Sequence, residues 1–158
     1  GITLMTFYAD CVPLYFYDKK KQAIGLAHSG WRGTVMKMGN VMIQKMKSEF
    51  GSNPEDILCV IGPCICKNCY EVSEEVYDAF EKEFNENQIK QIFKPVREGK
   101  YMLDLVMCNK LILEEAGVLS SHIECSYECT CCNPKKYFSH RVTGDKRGNL
   151  AAVMCLKE

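Results

Sequence analysis

The sequence predicts an α+β fold, and three observations predict it. Short apolar runs bounded by turn-forming residues read as strands. Three segments carry apolar residues at helical spacing. The two kinds of element mix along the chain without a strict β-α-β alternation. At 158 residues and 47% hydrophobic content, the chain can bury one ordinary core, so a single domain is expected.

Taken in order, residues 2–9, 12–17 and 23–27 read as strands, with the charged turn Asp18-Lys19-Lys20-Lys21 between the second and third. Thr34 is placed to cap a helix whose stripe is Val35, Met38, Met42, Met46 and Phe50, stopped by Gly51-Ser52-Asn53-Pro54. Residues 57–61 form a short buried strand ending at Gly62-Pro63. Ser73 can cap a second helix with Val76, Phe80 and Phe84 on one face. Asp104 can cap a third, with Leu105, Cys108, Ile112 and Ala116 inward and Gly117 at its end. Residues 123–127 and 150–156 complete the strands.

Twenty basic and twenty acidic residues balance to zero net charge. No basic block stands out, which argues against nucleic acid and anionic membranes as partners. No apolar run reaches bilayer length and no signal-peptide pattern is visible, so the expected location is cytoplasmic. Eleven cysteines are an odd number. Together with the missing signal, that favours reduced thiols, some packed and some on metal, over a disulfide framework.

The chemistry concentrates in His28-Ser29-Gly30-Trp31-Arg32-Gly33, where a strand ends in a glycine-rich turn that opens a helix. Cys11 lies upstream beside another strand. If the strands are neighbours, Cys11 and His28 can share a zinc ion, since thiolate and imidazole are good zinc ligands. The same pair also reads as a packed thiol and a core histidine, or as a nucleophile with its base. Arg32, with the backbone amides of Gly33 and Thr34 at the helix start, can grip phosphate or carboxylate. A tight surface turn explains the same residues. Two further groups, Cys64/Cys66/Cys69 and Cys125/Cys129/Cys131/Cys132, each contain a C-x-x-C pair, which reads as unligated thiols or, less simply, as the pattern of a structural zinc site at unusually long separation. The run Tyr137-Phe138-Ser139-His140-Arg141 offers aromatic, hydroxyl, imidazole and guanidinium groups for a planar base or a phosphate.

Read in order, Ala9-Asp10-Cys11-Val12-Pro13, the Trp-Arg-Gly hexapeptide at 28–33, Gly62-Pro63 followed by Cys69-Tyr70-Glu71-Val72, Asp104-Leu105 and Phe138-Ser139-His140-Arg141 resemble the YfiH-like family. That family was formerly called laccase-like polyphenol oxidoreductases and is associated with purine nucleoside chemistry. The resemblance covers nearly the whole chain. It implies an α/β/β/α sandwich with mixed sheets. It also implies zinc-dependent phosphorolysis of adenosine, inosine, guanosine and methylthioadenosine, together with deamination of adenosine. Its zinc ligands map onto Cys11 and His28. The family's third ligand, a histidine in a Gln-x-His motif, lies upstream of both; residues 1–10 contain no histidine. The expectation is therefore a single YfiH-like domain over 1–158 that lacks the family's N-terminal portion. His140 and Cys131 are the substitutes for the third ligand within the chain. Val142 and Asn149 depart from arginines common in relatives.

On this reading Cys11, His28 and Asp10 carry the chemistry, Asp10 by orienting a ligand or the neighbours of Cys11 through hydrogen bonds. Arg32, Gly33 and Thr34 cradle phosphate, with Arg141 as a further contact. The partners are purine nucleosides and phosphate, and the protein is a monomer or homodimer. The alternatives are copper-dependent phenol oxidation, a metal-free cysteine hydrolase and an inactive fragment. Three histidines are few for a multicopper centre.

Overall fold

The computed structural model describes residues 1–157. The elements run β1 (Leu4–Tyr8), β2 (Val12–Asp18), β3 (Ala23–Ser29), α1 (Trp31–Val35), α2 (Met38–Phe50), β4 (Ile57–Ile61), β5 (Glu71–Ser73), α3 (Glu74–Glu81), α4 (Glu86–Ile92), β6 (Phe93–Arg97), β7 (Lys100–Leu103), α5 (Leu105–Glu115), β8 (Ile123–Cys125), α6 (His140–Thr143) and β9 (Leu150–Met154). The expected α+β class and mixed sheets are what form. The central sheet has the order β3-β2-β4-β8, antiparallel except for the parallel pair β4/β8. β1 and β9 pair as an antiparallel ribbon, and β5-β7-β6 make a small antiparallel sheet.

Strand alternation sorts the central sheet into two faces. Val12, Leu14 and Phe16 of β2 and Ala23 and Ala27 of β3 are buried, in contact with the helices. Gly25 belongs to this face, because a Cβ there would come 2.8 Å from Met42 and 3.5 Å from the Met46 sulfur of α2. Ile43, Met46, Ile61, Ile112 and Leu113 close the core. Burying each such side chain contributes about 1.5–3 kcal/mol. Gly39 lets α2 cross α5 closely, since its Cβ would lie 3.1 Å from Leu113 and 3.3 Å from Ile112. Pro13, Tyr15 and His28 belong to the opposite face.

Three sequence expectations change. The first helix is broken in two: Lys37 adopts a left-handed conformation at φ 53 and starts α2 afresh. The break resets the helical phase, so Gly39, Ile43 and Met46 form the buried stripe and Phe50 is half exposed. Thr34 is not the cap. It sits inside α1, with Gly30 in the capping position. Last, α4 and the β6/β7 hairpin arise in a stretch where neither was expected. The Asn85/Gln88 capping box starts α4, and Gly99 at φ 63 turns the hairpin. The stops at Gly51 and Gly117 and the Asp104 cap, which accepts the Met107 amide at 2.9 Å, are as expected.

Candidate active site

The pairing of β2 with β3 brings the two predicted ligands together. Val12 lies opposite Ser29 and Pro13 opposite His28. Cys11, one residue before β2, therefore falls on the Pro13/His28 side and faces the residue after β3, Gly30. A Cβ built on Gly30 would sit 3.0 Å from the Cys11 sulfur and 3.9 Å from Nε2 of His28. The sulfur and the nitrogen thus flank one small space that glycine leaves open. Any side chain at position 30 would intrude on it.

Asp10, just before Cys11, holds a left-handed conformation at φ 74, uncommon for a residue with a side chain. Hydrogen bonds from distant segments hold it there. Its carboxylate accepts from Thr130 Oγ1 at 2.6 Å, Ser139 Oγ at 3.1 Å and the Arg141 amide at 2.7 Å, while its carbonyl accepts the Ile65 amide at 3.0 Å. Asp10 is buried, and these bonds tie the turn before Cys11 to the segments around Ile65, Thr130 and Arg141.

A cleft of about 210 Å³ opens beside Cys11, walled by Asp10, Tyr70, His140, Arg141 and Arg147. Tyr70 and Arg147 lie in sequence motifs that assign neither of them an individual role. Burial pushes the Tyr70 hydroxyl up to about 12, with Cys11 and Asp10 adding to the rise and Arg141 and Arg32 opposing it. The hydroxyl therefore stays protonated as a donor facing the cleft. Burial also pushes the Cys11 thiol up, Asp10 pushes it further, and Arg147 opposes both. His28 is exposed, and partial desolvation of its ring lowers the imidazole from its ordinary value. Thiol sulfur and imidazole nitrogen are donor types that a zinc ion accepts. A larger cleft, about 790 Å³, lies along Lys67, Lys90 and Lys94 beside β6, but no cysteine or histidine lines it.

The expected phosphate cradle is only partly realised. Thr34 is fully buried. Its amide donates to the Gly30 carbonyl at 2.8 Å, and its hydroxyl bonds the same carbonyl at 2.9 Å while contacting Ser29 and Asn109. That corrects its assignment to phosphate: its polar groups are consumed in pinning the end of β3 to α5, through Asn109. Gly33 lies against the His28 carbonyl and Ser29. Arg32 is exposed, with its guanidinium 4.2 Å over the Trp31 ring. Arg141 borders the cleft, but both its terminal nitrogens donate to the Glu71 carbonyl at 3.0 Å. Arg147 is the cation beside Cys11, and its Nε donates to Nδ1 of His140 at 3.3 Å. Of the two substitute ligands, His140 lines the same cleft as Cys11. Cys131 does not; it lies beside Cys69 in a separate group of thiols.

A family model described as "Multi-copper polyphenol oxidoreductase laccase" matches residues 1–157. The chain belongs to this family. It is 38% identical to the purine nucleoside phosphorylase YlmD of Bacillus subtilis, covering 100% of this chain and 56% of that protein. It is 35% identical to an adenosine deaminase, RL5, from an unknown prokaryotic organism, across 94% of this chain and 56% of the relative. Among solved structures, the Bacillus licheniformis hypothetical protein YfiH superposes with a TM-score of 0.93 at 38% identity, over 98% of this chain and 58% of that one. YlmD from Geobacillus stearothermophilus superposes at 0.86 with 34% identity, over 96% and 56%. The chain therefore spans a little more than half the length of each of these four proteins. Among the described residues, no helix is long and apolar enough to cross a membrane.

Proposed function

We propose that this chain carries the Cys–His part of a zinc-dependent purine nucleoside phosphorylase that also deaminates adenosine, with adenosine, inosine, guanosine and methylthioadenosine as substrates. The observation that carries the reading is the convergence of the Cys11 sulfur and His28 Nε2 on the space left by Gly30, at the edge of a cleft with a tyrosine hydroxyl and two arginines. The names of the relatives, phosphorylases and one deaminase, support the substrate class. Cys11 and His28 would hold the zinc. The resemblance implies a third ligand, a histidine upstream of both; within the chain, His140 lines the same cleft as Cys11.

When bound, zinc supplies Lewis acidity toward a water or a substrate oxygen. The chain's own residues supply position and charge. Arg147 lines the cleft and offers a guanidinium for phosphate through the terminal nitrogen not engaged by Gly148 and Asn149, and Arg32 is an exposed guanidinium whose charge reaches Tyr70. Tyr70 donates a hydrogen bond from a hydroxyl that remains protonated. Asp10 holds the Cys11 loop, and the Ser29/Thr34/Asn109 contacts hold the end of β3. The donor set disfavours the copper reading, since one cysteine and one histidine fall short of a multicopper centre. The raised thiol disfavours a metal-free cysteine nucleophile.

The test is incubation with inosine and phosphate, followed by chromatography of free base and sugar phosphate. Phosphate-dependent release of hypoxanthine is expected, lost in Cys11→Ala and in His28→Ala. Activity retained in both variants, or base release indifferent to phosphate, overturns the assignment.

A further inference from the structure

The two C-x-x-C pairs lie far apart in sequence, and the fold brings them together. The ligand atoms of Cys66, Cys69, Cys129 and Cys132 all lie within 4.8 Å of one another. We infer that these four thiolates hold a single zinc ion in a structural site separate from Cys11 and His28.

Geometry is the first argument. Zinc–sulfur bonds of about 2.3 Å in a tetrahedron set sulfur atoms roughly 3.8 Å apart. The Cys69 and Cys132 sulfurs stand 3.4 Å apart, and the whole set needs only small adjustments to reach that spacing. An iron–sulfur cube, with each thiolate on its own iron, would hold the sulfurs farther apart than this. One shared ion fits, and a tetrahedral all-sulfur site selects zinc among common divalent ions.

The backbone supplies the second argument. Both pairs sit on turns, with the Cys69 amide donating to the Cys66 carbonyl at 3.0 Å. The amides of Cys66 and Cys132 donate to the Cys129 sulfur at 3.2 and 3.4 Å. Amides aimed at sulfur favour a thiolate over a thiol, as a metal ligand requires. The turns are also registered against each other independently of the sulfurs. Cys64 and Cys129 form an isolated parallel bridge, with the Cys64 amide on the Glu128 carbonyl at 3.2 Å and the Thr130 amide on the Cys64 carbonyl at 3.1 Å. A disulfide between Cys69 and Cys132, whose sulfurs stand 3.4 Å apart, would leave the two amides aimed at the Cys129 sulfur without an ion to balance a thiolate there.

Placement gives the ion a purpose. Ile65 and Thr130, which bond the Asp10 carbonyl and carboxylate, lie within these same two segments. An ion joining the turns would cross-link the floor on which the Cys11 loop rests.

The test uses the Cys11→Ala/His28→Ala protein, loaded with zinc under reducing conditions and dialysed against a mild chelator. One zinc per chain should remain, and X-ray absorption should show four sulfur neighbours at about 2.3 Å. A thiol reagent should titrate four fewer cysteines in the loaded protein than in the stripped protein. Cys132→Ser, at an exposed position, should weaken zinc retention by more than about 100-fold, because losing even an outer partner of a ligand costs 10–100-fold. Loss of zinc on dialysis, nitrogen or oxygen neighbours in the absorption spectrum, bound iron, or full thiol reactivity in the loaded protein would each overturn the inference. Because both ligands of the candidate active site are already gone, the outcome is independent of whether that site functions.

Discussion

Two groups of metal-capable side chains are tied to the same residue, Asp10, and they are built differently. At Cys11 and His28, two donors from adjacent strands flank a space kept open by a glycine, beside a cleft. At Cys66, Cys69, Cys129 and Cys132, four like donors from two turns close on one another, with backbone amides directed at sulfur. A catalytic ion needs a free position and a substrate-sized approach; a structural ion needs a complete tetrahedron. The difference teaches that donor count and backbone setting, more than residue type, separate the two roles in a chain with eleven cysteines.

The sharpest way to break this comparison is to remove one group at a time. Cys11→Ala or His28→Ala should lower nucleoside turnover by at least about 10³-fold, a barrier increase of roughly 4 kcal/mol. Zinc retention by the four cysteines should be unchanged, and the Tm measured in zinc-free protein should stay close to that of the parent. Turnover by product chromatography, read beside zinc content, checks both halves. Stripping zinc from the four cysteines should do the reverse in its first effect. If free zinc stands about 1,000-fold above the dissociation constant, the ion contributes about 4 kcal/mol of stability. For a domain of this size that corresponds to a fall in Tm of very roughly 8–16 °C. Calorimetry of loaded and stripped protein measures it. A stripped protein of unchanged Tm would remove the structural half of the comparison.

Gly30→Ala probes the open space itself. Gly30 has φ −73, which alanine adopts freely, so backbone strain is not the issue. The added methyl would lie 3.0 Å from the Cys11 sulfur and 3.9 Å from His28 Nε2. It must displace the thiol from the shared space. A loss of about 10-fold in zinc affinity at Cys11/His28, on the scale of disturbing a ligand's surroundings, is expected by competition titration. The four-cysteine site should bind as before.

How much of this was legible in the sequence depends on the range of the interaction. The helix ends at Gly51 and Gly117 and the Asp104 cap depend on local chemistry, and the sequence shows them directly. The Cys11/His28 pairing was legible because two strands joined by a short charged turn leave little choice of register. Thr34 misled because a capping residue type can serve equally as a buried linker, and its partners Ser29 and Asn109 are reached only through the fold. The split after Val35 left no signature, since Lys37 is not a residue that favours a left-handed conformation. Tyr70 belongs to the Cys69-Tyr70-Glu71-Val72 motif and Arg147 to a glycine-flanked polar run, but neither pattern says which cleft they wall. Their place beside Cys11 follows from the return of distant loops to Asp10, as does the meeting of the two C-x-x-C turns.

The smallest expected effect lies at the other end of β2, where a second buried aspartate serves as a control for Asp10. Asp18 is fully buried and accepts the Lys20 and Lys21 amides at 2.9 and 3.0 Å. Burial alone would raise its value, but the Lys20 and Lys21 amides and the Lys21 charge outweigh that and hold the carboxylate below the ordinary range. Because the folded value is the lower one, the carboxylate contributes stability above the unfolded value of about 3.9. That contribution disappears as pH falls through the folded value. Asp18→Asn should therefore cost about 1–3 kcal/mol at pH 7, the range for a buried hydrogen-bonded group losing its match. The gap to the parent protein should narrow as pH falls below the unfolded value of about 3.9 and through the folded one. Urea unfolding of zinc-free protein at pH 7 and across that fall measures it without interference from metal release. Zinc uptake by either thiol group at pH 7 should be untouched, because Asp18 anchors the β2/β3 turn while Asp10 anchors the loops around Cys11.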